Sequence, residues 1–268
     1  MTNKALFYLR EYFFPSACGL CGDALFSKED AFYSLCAACR AFLKSSLAGD
    51  KRCKFCGKQL ISEKESCLLC REKGAVESGQ YNENIARILT FFPYTGKYRS
   101  FLGEYKFRKS IGAANFLSEY LLKAIDDLGL VSSGVKPSLK AHLGRNSAAV
   151  YEAAWVPVPP RPGKIKNLGW DQIEYLARLL DMEYNSDGKN ALPVCRCLKR
   201  LPSRSQKELN RDARETNLKG RILCVKEPPE TAILFDDVIT TGATLNACAS
   251  ALLKGGAKSV YGVCLFYD

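Results

Sequence analysis

The chain has 268 residues, 47% of them hydrophobic, enough for one sizeable α/β domain and a smaller unit beside it. A formal charge of +11 favours anionic partners, either phosphorylated small molecules or nucleic acid, without choosing between them. No apolar stretch approaches the roughly 20 residues of a membrane-spanning helix, and a single histidine, His142, argues against histidine-based acid–base or triad chemistry.

Residues 5–14 are too short and too interrupted for the apolar core of a signal peptide, and they predict an amphipathic helix docked on the neighbouring domain. A cytoplasmic protein is expected. Four Cys-x-x-Cys pairs follow: Cys18/Cys21, Cys36/Cys39, Cys53/Cys56 and Cys67/Cys70. In a reducing compartment this spacing predicts structural Zn²⁺, because two thiolates of one pair turn onto one metal and two pairs complete an S₄ site. Eight thiolates suffice for two closed sites, with sequential or interleaved pairing both open. Gly22 and Gly57, each directly after a pair, suit the tight turn of a knuckle. Residues 1–80 are therefore read as an N-terminal helix and zinc-knuckle domain, and 81–268 as a second domain. The first 80 residues carry only 12 basic against 9 acidic residues, so most of the positive charge lies beyond them.

Residues 88–94 predict the first strand of the second domain, with a basic helix through 98–108 and a helix over 114–128. The stretch 131–149 lacks periodicity and is read as a loop insertion. A strand at 155–158, a Pro-rich basic loop, a helix from 171 to about 182 and a strand at 192–198 come next. On that last strand Cys195 and Cys197 are expected to face opposite ways. A charged amphipathic segment occupies 203–216. The chain closes with a strand, a helix to about residue 253 and a strand at 259–267. Alternating strands and helices predict a mainly parallel, doubly wound sheet.

The most informative run is Ile233-Leu-Phe-Asp236-Asp237-Val238-Ile-Thr240-Thr241-Gly242-Ala243-Thr244-Leu245. An apolar strand is expected to end in two carboxylates, before a hydroxyl-rich turn that opens a helix. Such a turn presents backbone N–H groups and a positive dipole end to a phosphate, at the sheet rim where α/β proteins bind ligands. The run resembles the phosphoribosyl-pyrophosphate (PRPP) signature of type I phosphoribosyltransferases. That resemblance implies ribose hydroxyls on Asp236 and Asp237, the 5-phosphate in the turn, and Mg²⁺ accompanying PRPP.

Together with the cysteine pairs, three further segments make nearly the whole chain resemble the ComF family of bacterial late-competence proteins (ComFC/GntX-like). These are Tyr105-Lys106-Phe107, Gly169-Trp170-Asp171-Gln172, and the pattern Arg200, Gln206, Leu209, Arg214, Asn217. The resemblance implies a type I phosphoribosyltransferase fold behind an N-terminal zinc domain. It also implies a pyrophosphate loop at Pro159, Pro160, Arg161 and Lys164, and phosphate contacts from Lys106, Arg200, Gln206 and Arg214, the last on a hood with Arg204, Lys207 and Arg211. The expected activity is phosphoribosyl transfer to a nitrogen acceptor that the sequence does not identify, in connection with DNA uptake. The alternative is a non-catalytic PRPP or nucleotide sensor that handles single-stranded DNA. The family carries Arg-Gly-Phe-Asn-Gln where this chain has Leu168-Gly-Trp-Asp171-Gln, with Lys164 and Lys166 nearby.

Overall fold

The computed structural model describes residues 16–45, 51–72, 74–130, 139–140, 150–187, 192–202 and 220–268. The N-terminal helix, most of the 131–149 insertion and the charged segment at 203–216 lie outside the described residues.

In chain order the elements are α1 (Lys28–Tyr33), α2 (Ala37–Ser45), α3 (Leu68–Glu72), α4 (Ala75–Ser78), β1 (Ile88–Pro93), α5 (Gly96–Arg108) and α6 (Ile111–Asp127). They continue with β2 (Leu139–Lys140), β3 (Val150–Tyr151), β4 (Ala153–Pro157), α7 (Lys164–Leu168), α8 (Gln172–Asp187), β5 (Leu198–Arg200) and β6 (Ile222–Cys224). The last three are β7 (Thr231–Ile239), α9 (Ala243–Lys254) and β8 (Ser259–Tyr267). The central sheet has the order β1-β8-β7-β4 and is parallel throughout. Parallel strands covered on both faces read as continuous apolar runs, and β4 is buried at every position.

Alternation along the strands divides the core in two. Ile233 and Phe235 of β7, with Trp155, Val263 and Leu265, face the layer made by α6 and α8. Ala232 and Leu234, with Val156, Val260 and Cys264, face the layer made by α9. The stripe Phe116, Leu117, Tyr120, Leu121, Ala124 and Ile125 lets α6 bury a whole face, and Ser110 caps it by accepting from the Ala113 N–H.

The cysteine modules pack on opposite sides of this sheet. Leu25, Leu35 and Leu43 of the first join the α6 layer, whereas Phe55, Leu60 and Tyr81, in and after the second, join the α9 layer. The second module also closes the outer edge of β1, whose unpaired groups otherwise invite another strand. The Ile88 N–H donates to the Phe55 carbonyl at 2.7 Å and the Thr90 hydroxyl to the Cys56 carbonyl at 3.0 Å. Arg52 donates to the carbonyls of Gly57, Thr90 and Phe91. A side chain at Gly57 would place its Cβ 2.6 Å from the Thr90 nitrogen, so the knuckle meets the strand only as glycine.

Two expectations need correction. The expected strand at 192–198 is divided between two sheets: Val194 makes one parallel bridge to Trp155 of β4, and Leu198 begins the antiparallel pairing with β6. Alternation therefore fails across the crossing, and Cys195 and Cys197 both pack against the core on the α9 side instead of diverging. Strand β7 does not stop at the two acids either. Val238 and Ile239 continue the ladder against Phe266 and Tyr267 of β8.

Candidate functional site

The site forms at the carboxyl end of β7. Alternation sends the two adjacent acids to different surroundings. Asp237 is buried under the α5/α8 side, where Lys106 Nζ of α5 lies 2.9 Å from its Oδ2. The same oxygen accepts from Nε2 of Gln172 on the first turn of α8. Gln172 in turn accepts from Lys164 Nζ through its Oε1, and Lys164 is paired with the buried Asp171 at 2.6 Å. Asp171 also caps α8 by accepting from the Glu174 N–H at 2.8 Å. A chain of alternating charges and one amide thus ties α5, β7, α7 and α8 together. An amide suits the middle position because it donates at one end and accepts at the other.

Asp236 is half-buried and faces a cavity of about 370 Å³. Its walls are Tyr94, Lys106, Arg161, Val238 and Ile239, and the turn Thr240, Thr241, Gly242, Ala243, Thr244 and Leu245. Burial, followed by the negative charge of Asp237, pushes the Asp236 carboxyl up to about 7. Gly242 takes a left-handed φ of 82° to start α9, a conformation that costs glycine little. The Thr241 hydroxyl accepts from the Ala243 N–H, and the first helical bond runs from the Asn246 N–H to the Gly242 carbonyl. Gly242 has no side chain to cap the helix, so beyond the Ala243 N–H the first turn of this twelve-residue helix presents amides and a positive dipole end to the cavity.

Of the residues anticipated for a sugar phosphate, the cavity gathers Asp236, Lys106, Arg161, Val238 and the turn from Thr240 to Thr244. Asp237 adjoins it through Lys106. Pro159 and Pro160 border a different small cleft with Asp171 and Glu174. Lys164 is spent on Asp171 and Gln172. Arg200 is buried, with Nε and Nη2 lacking a hydrogen-bond partner among the described residues. Burial, then the positive charge of Arg161, lowers its pKa, and Arg200 is not among the walls of the cavity. Gln206 and Arg214 lie outside the described residues.

Sequence reasoning missed Tyr94 as a wall of the cavity. Its position just past the apolar run of β1 was the available signal. It also missed the support behind the turn. Tyr81 stands where a Cβ on Gly242 would come within 2.9 Å of its hydroxyl, and Asn84 donates to Asn246 of α9 at 3.0 Å.

The cysteines form two quartets by sequential pairing, Cys18/Cys21/Cys36/Cys39 and Cys53/Cys56/Cys67/Cys70, each with all Sγ atoms within 4.8 Å of one another. A tetrahedral Zn²⁺ with Zn–S bonds of about 2.3 Å spaces its sulfurs by about 3.8 Å. The Cys21–Cys36 and Cys56–Cys67 separations are 3.8 and 3.6 Å, so both quartets fit Zn²⁺.

Residues 9–77 match the double zinc ribbon domain. The competence protein ComFC of Streptococcus pneumoniae (strain ATCC BAA-255 / R6) is 25% identical over 228 residues, covering 84% of each chain. The resemblance to the ComF family holds. It joins a double zinc ribbon to a parallel α/β sheet of the kind expected for a phosphoribosyltransferase-like fold. Among the described residues, no helix is long and apolar enough to cross a membrane.

Proposed function

We propose that the chain binds PRPP in the cavity beyond β7 and transfers its phosphoribosyl group to a nitrogen acceptor. The observation that carries this reading is the meeting of Asp236, the N-terminal turn of α9 and the cations Lys106 and Arg161 around one cavity. Asp236 and Asp237 are assigned to the ribose 2- and 3-hydroxyls. The turn Val238, Thr240, Thr241, Gly242, Ala243, Thr244 is assigned to the 5-phosphate, which needs N–H and hydroxyl donors and gains from the helix dipole. Arg161 and Arg200 are assigned to the pyrophosphate. The negative charge of a pyrophosphate would offset the repulsion from Arg161 that, after burial, lowers the Arg200 pKa.

In the reaction the C1–O bond to pyrophosphate breaks, its electron pair leaves with the pyrophosphate, and the acceptor nitrogen bonds to C1 and loses a proton. The positive charge that develops on the ribose favours nearby carboxylates. Asp237, held by Lys106 and Gln172, keeps its orientation while the sugar is positioned. Mg²⁺ enters this account with PRPP, neutralising ligand oxygens. A role connected with natural competence rests on the name of the pneumococcal relative.

Pyrophosphate release from PRPP, assayed with each nucleobase and with ammonia, tests the transfer. Release that depends on one acceptor supports the enzyme. Binding without release under any acceptor contradicts transfer and favours a PRPP sensor.

A further inference from the structure

The two cysteine quartets share their ligand chemistry but not their surroundings. In the first, Cys21 is exposed while Cys36 and Cys39 are half-buried; in the second, only Cys67 escapes full burial, and it is half-buried. The knuckle turns differ in the same sense. A Cβ built on Gly22, next to Cys21, meets nothing within 4 Å, whereas one on Gly57, next to Cys56, strikes β1. A small oxidant therefore reaches the Cys21 sulfur directly, and the matching Cys56 sulfur only once the knuckle has left the sheet.

Charge favours the same sulfur. Within residues 17–23 the only charged side chain is Asp23, whose Oδ2 lies 3.1 Å from Cys21 Sγ. Residues 51–58 instead carry Lys51, Arg52, Lys54 and Lys58. Four thiolates around one Zn²⁺ leave excess negative charge, which nearby cations stabilise and a nearby carboxylate does not. Thiolates that cations stabilise are weaker nucleophiles, so the sulfur beside Asp23 is the more reactive one.

We propose that Cys21 is a redox-modification site, oxidised by a hydroperoxide to a disulfide with Cys36, which empties the first zinc site and spares the second. The Cys36 sulfur lies 3.8 Å from that of Cys21. The Cys21 thiolate attacks one oxygen of hydrogen peroxide; the O–O bond breaks, hydroxide leaves and the sulfur becomes a sulfenic acid. The Cys36 thiolate then attacks that sulfur, the S–O bond breaks and a second hydroxide leaves. Two solvent protons turn both hydroxides into water, so two thiolates are oxidised for one peroxide reduced. Cys18 and Cys39 alone are too few to close a site on Zn²⁺. Leu25, Leu35 and Leu43 of this module lie in the α6 layer, and the consequence is a looser layer.

The test treats the full zinc-loaded chain with hydrogen peroxide in the presence of a colorimetric zinc chelator, and maps the products by peptide mass spectrometry without reduction. Expected is release of one of the two zinc ions at least about tenfold faster than the other, because reactivity follows exposure. A Cys21–Cys36 linkage should accompany it, and thiol reductant with added Zn²⁺ should restore the metal. Cys21→His keeps a nitrogen ligand and removes the oxidisable sulfur. It should hold both zinc ions and slow the first release to the rate of the second, whereas Cys67→His should leave the fast release unchanged. Release of both ions at one rate, a linkage between other cysteines, or fast release that survives in Cys21→His overturns the proposal. Should Cys21→His fail to hold the first zinc ion, the wild-type rates and linkage decide alone.

Discussion

The first quartet keeps only Cys18 buried and leaves Cys21 exposed, whereas the second buries Cys53, Cys56 and Cys70. The first module leans on α6, where a side chain on Gly112 would strike the Ser34 hydroxyl at 2.2 Å. The second seals the edge of β1, and the chain leaving it passes Tyr81 to Gly242 and Asn84 to α9. Two metal sites of identical ligand chemistry therefore carry different consequences. The first packs on a helix layer, and the segment that follows the second supports, through Tyr81 and Asn84, the turn assigned to phosphate and α9.

The largest expected effect separates the modules. Cys70→Ser should cost one of two zinc ions and weaken PRPP binding by about tenfold or more, by analogy with the loss of metal-site support. Cys21→Ser should also cost one zinc ion while leaving PRPP affinity within about threefold. Metal analysis with calorimetry reads both, and equal losses of affinity would erase the distinction drawn here. Next, Gly112→Ala should destabilise the chain by about 2–3 kcal/mol through overpacking against Ser34, measured by urea unfolding. It should leave PRPP affinity nearly unchanged. Gly242→Ala should cost about 1–2 kcal/mol from the left-handed φ, and should weaken PRPP as well.

A smaller effect concerns pH. Burial, then the charge of Asp237, raises the Asp236 carboxyl to about 7, above its value in an unfolded chain. The folded, ligand-free state therefore holds a proton that the unfolded state releases between about pH 4 and pH 7. Its contribution to stability is full below that window and lost as pH rises through it. Asp236→Asn should flatten this slope in melts taken across the window, and an unaltered slope would remove Asp236 as its source. Smallest is Asn84→Ala, expected to cost about 0.5–1.5 kcal/mol for one hydrogen bond to Asn246.

Much of this was legible in the sequence where local signals are strong. The Cys-x-x-Cys spacing gave the ligands, and the apolar run, the acids and the glycine turn placed β7, the cavity and α9. The sequential pairing was one of two options, and the structure chose it. Less legible was anything decided by tertiary contact. The sequence shows Lys164 in a basic loop, but only the fold brings Asp171 and Gln172 to it. Tyr81 and Gly242 are 161 positions apart in the numbering, and nothing local announces that they meet. The 192–198 stretch reads as one strand because its alternation is local, while its division between β4 and β6 is set by two different partners.

The most direct measurement is calorimetric titration of the purified chain with PRPP, with and without Mg²⁺, beside the double variant Asp236→Asn/Asp237→Asn. The account predicts Mg²⁺-dependent binding that the variant abolishes while both zinc ions remain. Equal affinity in the two proteins, or no binding by the wild type, would contradict it.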